Sequence, residues 1–265
     1  EIRSNDQQVR AILNTQHEGP PAPTLEDLPE LPDHFAFARS LSASDQWKIH
    51  KAIETDRYVE KNKNARLLIE CKLLYVQIDK LFAAAKIITQ SNVIRKKIDA
   101  LGKLPADADA ELTFAYYWLK IYYNNAIENF VQSAEVSKQA ITALKKFKEE
   151  ANRLNLLRVE LKLAELNYYL SNFEESFKDF NRLMRTKEAK QNPDYSYNST
   201  KYLQVSLITG HLHEAKQIVE ERKILPQKQQ RELLLPRDII SLAKYYLFTG
   251  EMDEAFNYIQ LGFEK

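Results

Sequence analysis

Five histidines, His17, His34, His50, His211 and His213, are the first residues to weigh for metal or acid–base chemistry. None falls in an H-E-x-x-H pattern, which would set two imidazoles on one helix face around zinc, and the single cysteine, Cys71, brings them no partner. His211 and His213 stand two residues apart, a spacing at which side chains on a helix diverge. Serine nucleophiles lack the G-x-S-x-G elbow that would expose them. Gly102-Lys103 lacks the preceding glycine and the following Ser or Thr of a phosphate-binding loop. The carboxylate pairs Glu149-Glu150, Glu174-Glu175 and Glu220-Glu221 read as solvated helix faces. So do the basic cluster Arg95-Lys96-Lys97 and Lys145, Lys146 and Lys148, since no helix-turn-helix reader accompanies them. Catalysis, metal or cofactor binding and direct nucleic-acid binding are accordingly not expected.

The elements that carry these residues follow from composition. The chain has 265 residues, 44% of them hydrophobic, with only 5 Gly and 9 Pro, so the punctuation of strands and hairpins is scarce and an all-α fold is expected. Lys and Arg number 38 against 37 Asp and Glu, so no global charge draws the chain to phosphate or anionic lipid, and a charged partner must be met by a local patch. Cys71 lies in the apolar-periodic run Leu67 to Leu74 and reads as a buried structural thiol. One cysteine permits no internal disulfide, which slightly favours the cytoplasm without excluding an exported protein. No apolar run approaches the roughly 18 residues of a membrane span. The chain starts at Glu1, and its last helix, Glu251 to Lys265, has no capping glycine or polar closing helix; continuation of the natural protein beyond Lys265 is therefore expected.

Three regions are expected. Residues 1–43 form an extension in which Gln7 to Leu13 suits a short helix. There Gly19-Pro20-Pro21-Ala22-Pro23 and Leu28-Pro29-Glu30-Leu31-Pro32 make an extended linker whose acidic residues Glu26, Asp27, Glu30 and Asp33 suit either a tether or an internal ligand. Residues 44–149 are expected to form degenerate helical hairpins. Ser44 begins an N-cap region, and an apolar stripe from Leu67 to Ile88 is followed by a break near Thr89 to Asn92. An aromatic helix opened by Asp107, Asp109 and Glu111 comes next, then another helix from Ala126 to Lys148. Residues 156–265 contain the clearest signal. Thr209-Gly210-His211-Leu212-His213-Glu214-Ala215 and Thr249-Gly250-Glu251-Met252-Asp253-Glu254-Ala255 repeat T-G-x-[Leu/Met]-x-E-A at a period of 40, and Ser171-Asn172-Phe173-Glu174-Glu175-Ser176 is a third copy 39 residues earlier. In each copy the glycine, or Ser171 in its place, ends a helix in a left-handed turn, an apolar residue pins the turn, and the small Ala or Ser lets two helices close.

On Leu163-Ala164, Leu242-Ala243 with Tyr246, Ser176 with Phe180, Ala215 with Val219, and Ala255 with Ile259, the region resembles the tetratricopeptide repeat family. It lacks the first-helix Trp, carries Asn167 and Ser206 in the usual Tyr slot, and has a longer period. The resemblance implies an α-solenoid of antiparallel helix pairs in a right-handed superhelix whose first helices line a groove for a protein or peptide. It places Arg158, Leu161, Glu165, Tyr168 and Tyr169, then Tyr197, Thr200, Lys201 and Gln204, then Arg237, Ile240, Lys244 and Phe248, on that groove. Lys201, Arg237 and Lys244 would engage acidic side chains or a terminal carboxylate, and the tyrosines would offer rigid amphipathic surface. Glu165 and Gln204 occupy a slot where chaperone-tail binders carry Asn, so that ligand is not implied. The function expected is a scaffold for protein or peptide interaction. The alternative is the sensory or regulatory domain of a signalling or transcriptional regulator whose effector domain lies outside this chain.

Overall fold

The computed structural model describes residues 63–192, 194–223 and 236–263; the Pro-rich linker and the helices expected before residue 63 lie outside them. Among the described residues the fold is all-α, with eleven helices. They are α1 (Lys63–Ala83), α2 (Ile87–Ala100), α3 (Ala110–Ala126), α4 (Phe130–Leu144), α5 (Glu150–Tyr169), α6 (Phe173–Met184), α7 (Lys187–Gln191), α8 (Tyr195–Ile208), α9 (Leu212–Lys223), α10 (Pro236–Thr249) and α11 (Met252–Phe263). Apart from the short α7, they pair consecutively into five hairpins.

One turn closes all five. Ala85, Glu128, Ser171, Gly210 and Gly250 have φ of 54°, 60°, 63°, 76° and 78°, and lie 43, 43, 39 and 40 residues apart. The residue after each donates its N–H to the carbonyl five residues back: Lys86 to Leu81, Asn129 to Asn124, Asn172 to Asn167, His211 to Ser206 and Glu251 to Tyr246, at 2.8–2.9 Å. The left-handed residue itself donates to the carbonyl three residues back. This is the Schellman arrangement, which satisfies carbonyls that a helix end leaves orphaned. The three-copy repeat is thus the second half of a five-copy one.

Two boundaries shift as a result. The break expected near Thr89 to Asn92 falls instead at Ala84–Lys86, and α2 runs through Thr89 to Asn92. Re-phased by that turn, Ile87 is buried and Ile88 faces solvent. Ala126, expected to start a helix, ends α3. The acidic start of α3 is as expected: Asp109 caps it, accepting the Leu112 N–H at 2.7 Å.

The fifth residue after each of the last four turns is small and almost fully buried: Ser133, Ser176, Ala215 and Ala255. Its size lets the two helices of a hairpin approach, and both serines add the same bond. Ser133 Oγ donates to the Ile121 carbonyl at 3.0 Å and Ser176 Oγ to the Ala164 carbonyl at 2.7 Å, each twelve residues back. The apolar residue after the turn pins less than expected. Phe173 packs on the core, whereas Leu212 and Met252 are exposed, so backbone hydrogen bonds hold those two turns.

The hairpins gather into two compact units, one ending at Phe147 and the other beginning at Lys148. In the first, α1 packs on α2 and α3, and α3 on α4. Its core runs through Cys71, Ile78, Ile94, Ile98, Leu112 and Leu119. Burial pushes the Cys71 thiol up to about 12, so it stays protonated and inert. In the second, α6 packs on α5 and α8, α8 on α9 and α10, and α10 on α11. Its core includes Leu161, Phe180, Leu203, Val219, Leu242 and Tyr246.

Candidate functional site

The second unit brings six of the expected groove residues together. On α5, Lys162, Glu165 and Tyr169 recur at steps of three and four, so they share one face, and Tyr168 flanks them. Tyr197 and Lys201 lie one turn apart on α8, and Arg237 opens α10. At the centre is the Glu165 carboxylate, 2% exposed. It accepts hydrogen bonds from Lys162, from the Tyr197 hydroxyl and, at 3.1 Å, from the Tyr169 hydroxyl. Burial alone would raise its pKa, but the charge and hydrogen bond of Lys162, the Tyr197 hydrogen bond and the charge of Lys201 together hold it below the ordinary carboxylate value. The price appears on the donors: burial and then the Glu165 charge raise Tyr197 strongly and Tyr169 to about 12.

Lys201 closes the cluster. Its ammonium donates to the Tyr169 hydroxyl at 3.0 Å and sits 5.4, 4.8 and 5.7 Å from the ring centres of Tyr168, Tyr169 and Tyr197. Such cation–π contacts fix a flexible side chain without neutralising it. Burial lowers its pKa against the opposing pull of Glu165, and the charges of Lys162 and Arg237 lower it further. Arg237 stacks its guanidinium 4.7 Å from the Tyr197 ring. Lys162 and Lys201 thus act on one carboxylate that is already satisfied by hydrogen bonds, and Arg237 lies beyond them on the Tyr197 ring. Three successive hairpins are tied by side chains on their first helices.

The remaining expected residues are placed differently. Gln204 donates to Ser241 Oγ at 2.9 Å and ties α8 to α10. Arg158 lies half-buried two turns before Glu165, and Lys244 is exposed on α10. Leu161 and Thr200, expected on the groove, are 2% and 1% exposed. Leu161 is one residue, about 100° of helix, from the Lys162 face and turns into the core. Thr200 joins a second buried network: its hydroxyl donates to Asp238, Arg222 Nη2 donates to Thr200 Oγ1 at 2.7 Å and to the Ser196 carbonyl at 3.1 Å, and Arg222 Nη1 reaches Asp238 at 3.5 Å. Burial lowers the Arg222 pKa and Asp238 opposes it, which is the signature of a structural ion pair clamping α9 to α8 and α10.

Beyond Arg237, the outer stripe of α10 continues through Ile240, Lys244, Leu247 and Phe248, all exposed, so cations and large apolar groups alternate along it. Sequence reasoning missed Lys162, Arg222 and Asp238. Lys162 stands three residues before Glu165, an ion-pair spacing that was available to be noticed.

Among the described residues, no three His, Cys, Asp or Glu side chains converge as metal ligands, and no helix is long and apolar enough to cross a membrane. The geometry defines an all-helical protein of repeated hairpins with a cationic, tyrosine-lined surface. No family model matches the chain, and no curated protein matches it. Its fold is similar to the crystal structure of BtubC (BKLC) from P. vanneervenii, with a TM-score of 0.60 at 13% identity over 83% of this chain and 88% of that one.

Proposed function

We propose that the chain is a tetratricopeptide-like interaction module, a binder rather than a catalyst, that takes an acidic, partly apolar segment of a partner protein along α8 and α10 of its second unit. The observation that carries this reading is the Lys201 cluster. An ammonium held over three tyrosines and braced on a buried carboxylate is a preorganised cation, so a ligand carboxylate meets it without ordering a lysine side chain first. Arg237 and Lys244 extend the positive surface, and Ile240 and Phe248 supply the exposed apolar area that an anchoring side chain would cover. The segment favoured therefore alternates Asp or Glu with Leu or Phe.

The test is fluorescence anisotropy with a labelled peptide of that pattern. Wild type should bind with an affinity that falls as salt rises, and Lys201→Glu/Arg237→Glu should weaken binding by about tenfold or more, while Lys216→Glu, on the exposed face of α9, should not. Equal affinity in the wild type and the double variant sinks the assignment.

A further inference from the structure

Counting from the left-handed turn residue, one hairpin can be laid on another, and one seam of each unit can then be compared position by position. In the second unit, Phe177, six residues after the Ser171 turn, meets Tyr202, eight before the Gly210 turn, with ring centres 5.9 Å apart. His211, one after that turn, stacks on Phe177 at 3.7 Å with the rings 5° from parallel. These three side chains close the seam between α6, α8 and α9. The same three positions in the first unit, counted from Ala85 and Glu128, are Ser91, Lys120 and Asn129. Two rings and an imidazole are replaced by a hydroxyl, an ammonium and an amide, and the seam between α2, α3 and α4 opens into a cavity of about 600 Å³ with Lys120 and Asn129 in its wall.

The wall has a definite chemistry. Arg95, Lys103 and Lys120 line it against one carboxylate, Asp99, whose distance from Arg95 is 3.9 Å. Lys120 is anchored: its ammonium donates to the Tyr116 hydroxyl and lies 4.0 Å from the centre of that ring, while the hydroxyl donates to the Gly102 carbonyl at 2.8 Å. An ammonium has three N–H donors, so the anchored group keeps donors for a ligand. Tyr123 also spends its hydroxyl on backbone, donating to the Ser91 carbonyl at 2.9 Å. Tyr116 and Tyr123 are themselves almost fully buried, so the ring that the wall presents is that of the half-buried Tyr117. The volume is that of a small-molecule site.

We propose that this cavity binds an organic anion, a carboxylate or phosphate monoester carried on an aromatic ring, with Lys120 and Lys103 on the anionic group and Tyr117 against the ring. The site is independent of the peptide surface on α8 and α10.

Isothermal titration calorimetry on the full chain, with 1-naphthyl phosphate, 1-naphthoate, inorganic phosphate and 1-naphthol as probes, tests it. A ring-bearing anion should bind at one site, with inorganic phosphate and 1-naphthol each at least tenfold weaker; which of the two naphthyl anions binds better tells phosphate from carboxylate. Lys103→Gln, at an exposed position, should weaken binding severalfold with no change in Tm. Ser91→Phe/Lys120→Tyr, which restores the ring pair of the second unit, should abolish binding while the far-ultraviolet spectrum stays helical. The proposal is overturned if no naphthyl anion binds, if inorganic phosphate or naphthol binds as well as the naphthyl anions, or if both variants bind like wild type. Lys201→Glu/Arg237→Glu should leave these titrations unchanged, which separates failure here from failure of the peptide assignment.

Discussion

The two units use one hairpin and one turn, and they treat the seams between hairpins differently. In the second unit, Phe177 and Phe180 lie against Tyr202, His211 covers Phe177, and Val219 and Leu242 are both buried in the same core one repeat further on. In the first unit, Ile94 keeps the deep position that Phe180 holds, while the outer positions turn polar and, outside its own hairpin, α3 packs chiefly on α1. The deep residue of a seam carries stability, and the outer ones are available for another purpose. The second unit fills the seam at Phe177 with rings and places polar residues on the first-helix face, where Glu165, Lys201 and Arg237 meet, and in the Arg222–Thr200–Asp238 clamp, whereas the first unit leaves the seam equivalent to that of Phe177 polar.

The hardest blow to that contrast is Phe180→Ala. Phe180 is fully buried and stacks on Tyr202, so truncation should cost about 3–5 kcal/mol, read as a fall in the urea midpoint of the second unit. A loss below about 1 kcal/mol would mean that this seam is not the stabilising one.

Glu165→Gln should cost less, about 1–3 kcal/mol, because an amide still fills the space but no longer answers the Lys162 and Lys201 charges. Its pH dependence carries a sign. The folded pKa of Glu165 is held below the unfolded carboxylate value of about 4.3, so its contribution is fully present above that value and fades as pH falls through the folded pKa. The Tm gap between wild type and Glu165→Gln should therefore be constant from pH 7 to about 5 and shrink in stronger acid. A gap that widens on acidification would place the proton elsewhere.

How much of this the residues disclose in advance depends on what they are measured against. Glu165, Tyr168, Tyr169, Tyr197, Lys201 and Arg237 were legible because the repeated turns at Ser171, Gly210 and Gly250 give the phase of each first helix, and a phase predicts a face. That phase is coarse: Leu161 and Thr200 lie close enough to the groove face to be assigned to it, and both turn inward. Arg222 was hidden because Glu220-Glu221-Arg222-Lys223 reads as a solvated run, and only the packing of both α9 and α10 on α8 brings it to Asp238. The earlier hairpins were expected over residues 44–149, but the positions of their turns were hidden for a local reason. A left-handed residue is ordinarily announced by glycine, and Ala85 and Glu128 hold that conformation without it; Ser171 does too, but the residues that follow it match the repeat and disclose it.

That last difference supplies the smallest and sharpest comparison. At Gly210 and Gly250 a Cβ would meet nothing within 4 Å, so Gly→Ala there measures conformation alone and should cost about 1 kcal/mol. At Glu128 the reverse exchange applies. Glu128→Gly removes a left-handed penalty of about 1–2 kcal/mol and adds about 0.5–1 kcal/mol of unfolded-chain entropy, so the protein should gain about 0.5 kcal/mol, and Tm should rise slightly. Because the turn hydrogen bonds of Asn129 and Glu128 are backbone ones, the substitution leaves them in place. If Glu128→Gly destabilises instead, the glutamate side chain is contributing to the first unit in a way that glycines at the later turns do not, and the five turns are alike in backbone only.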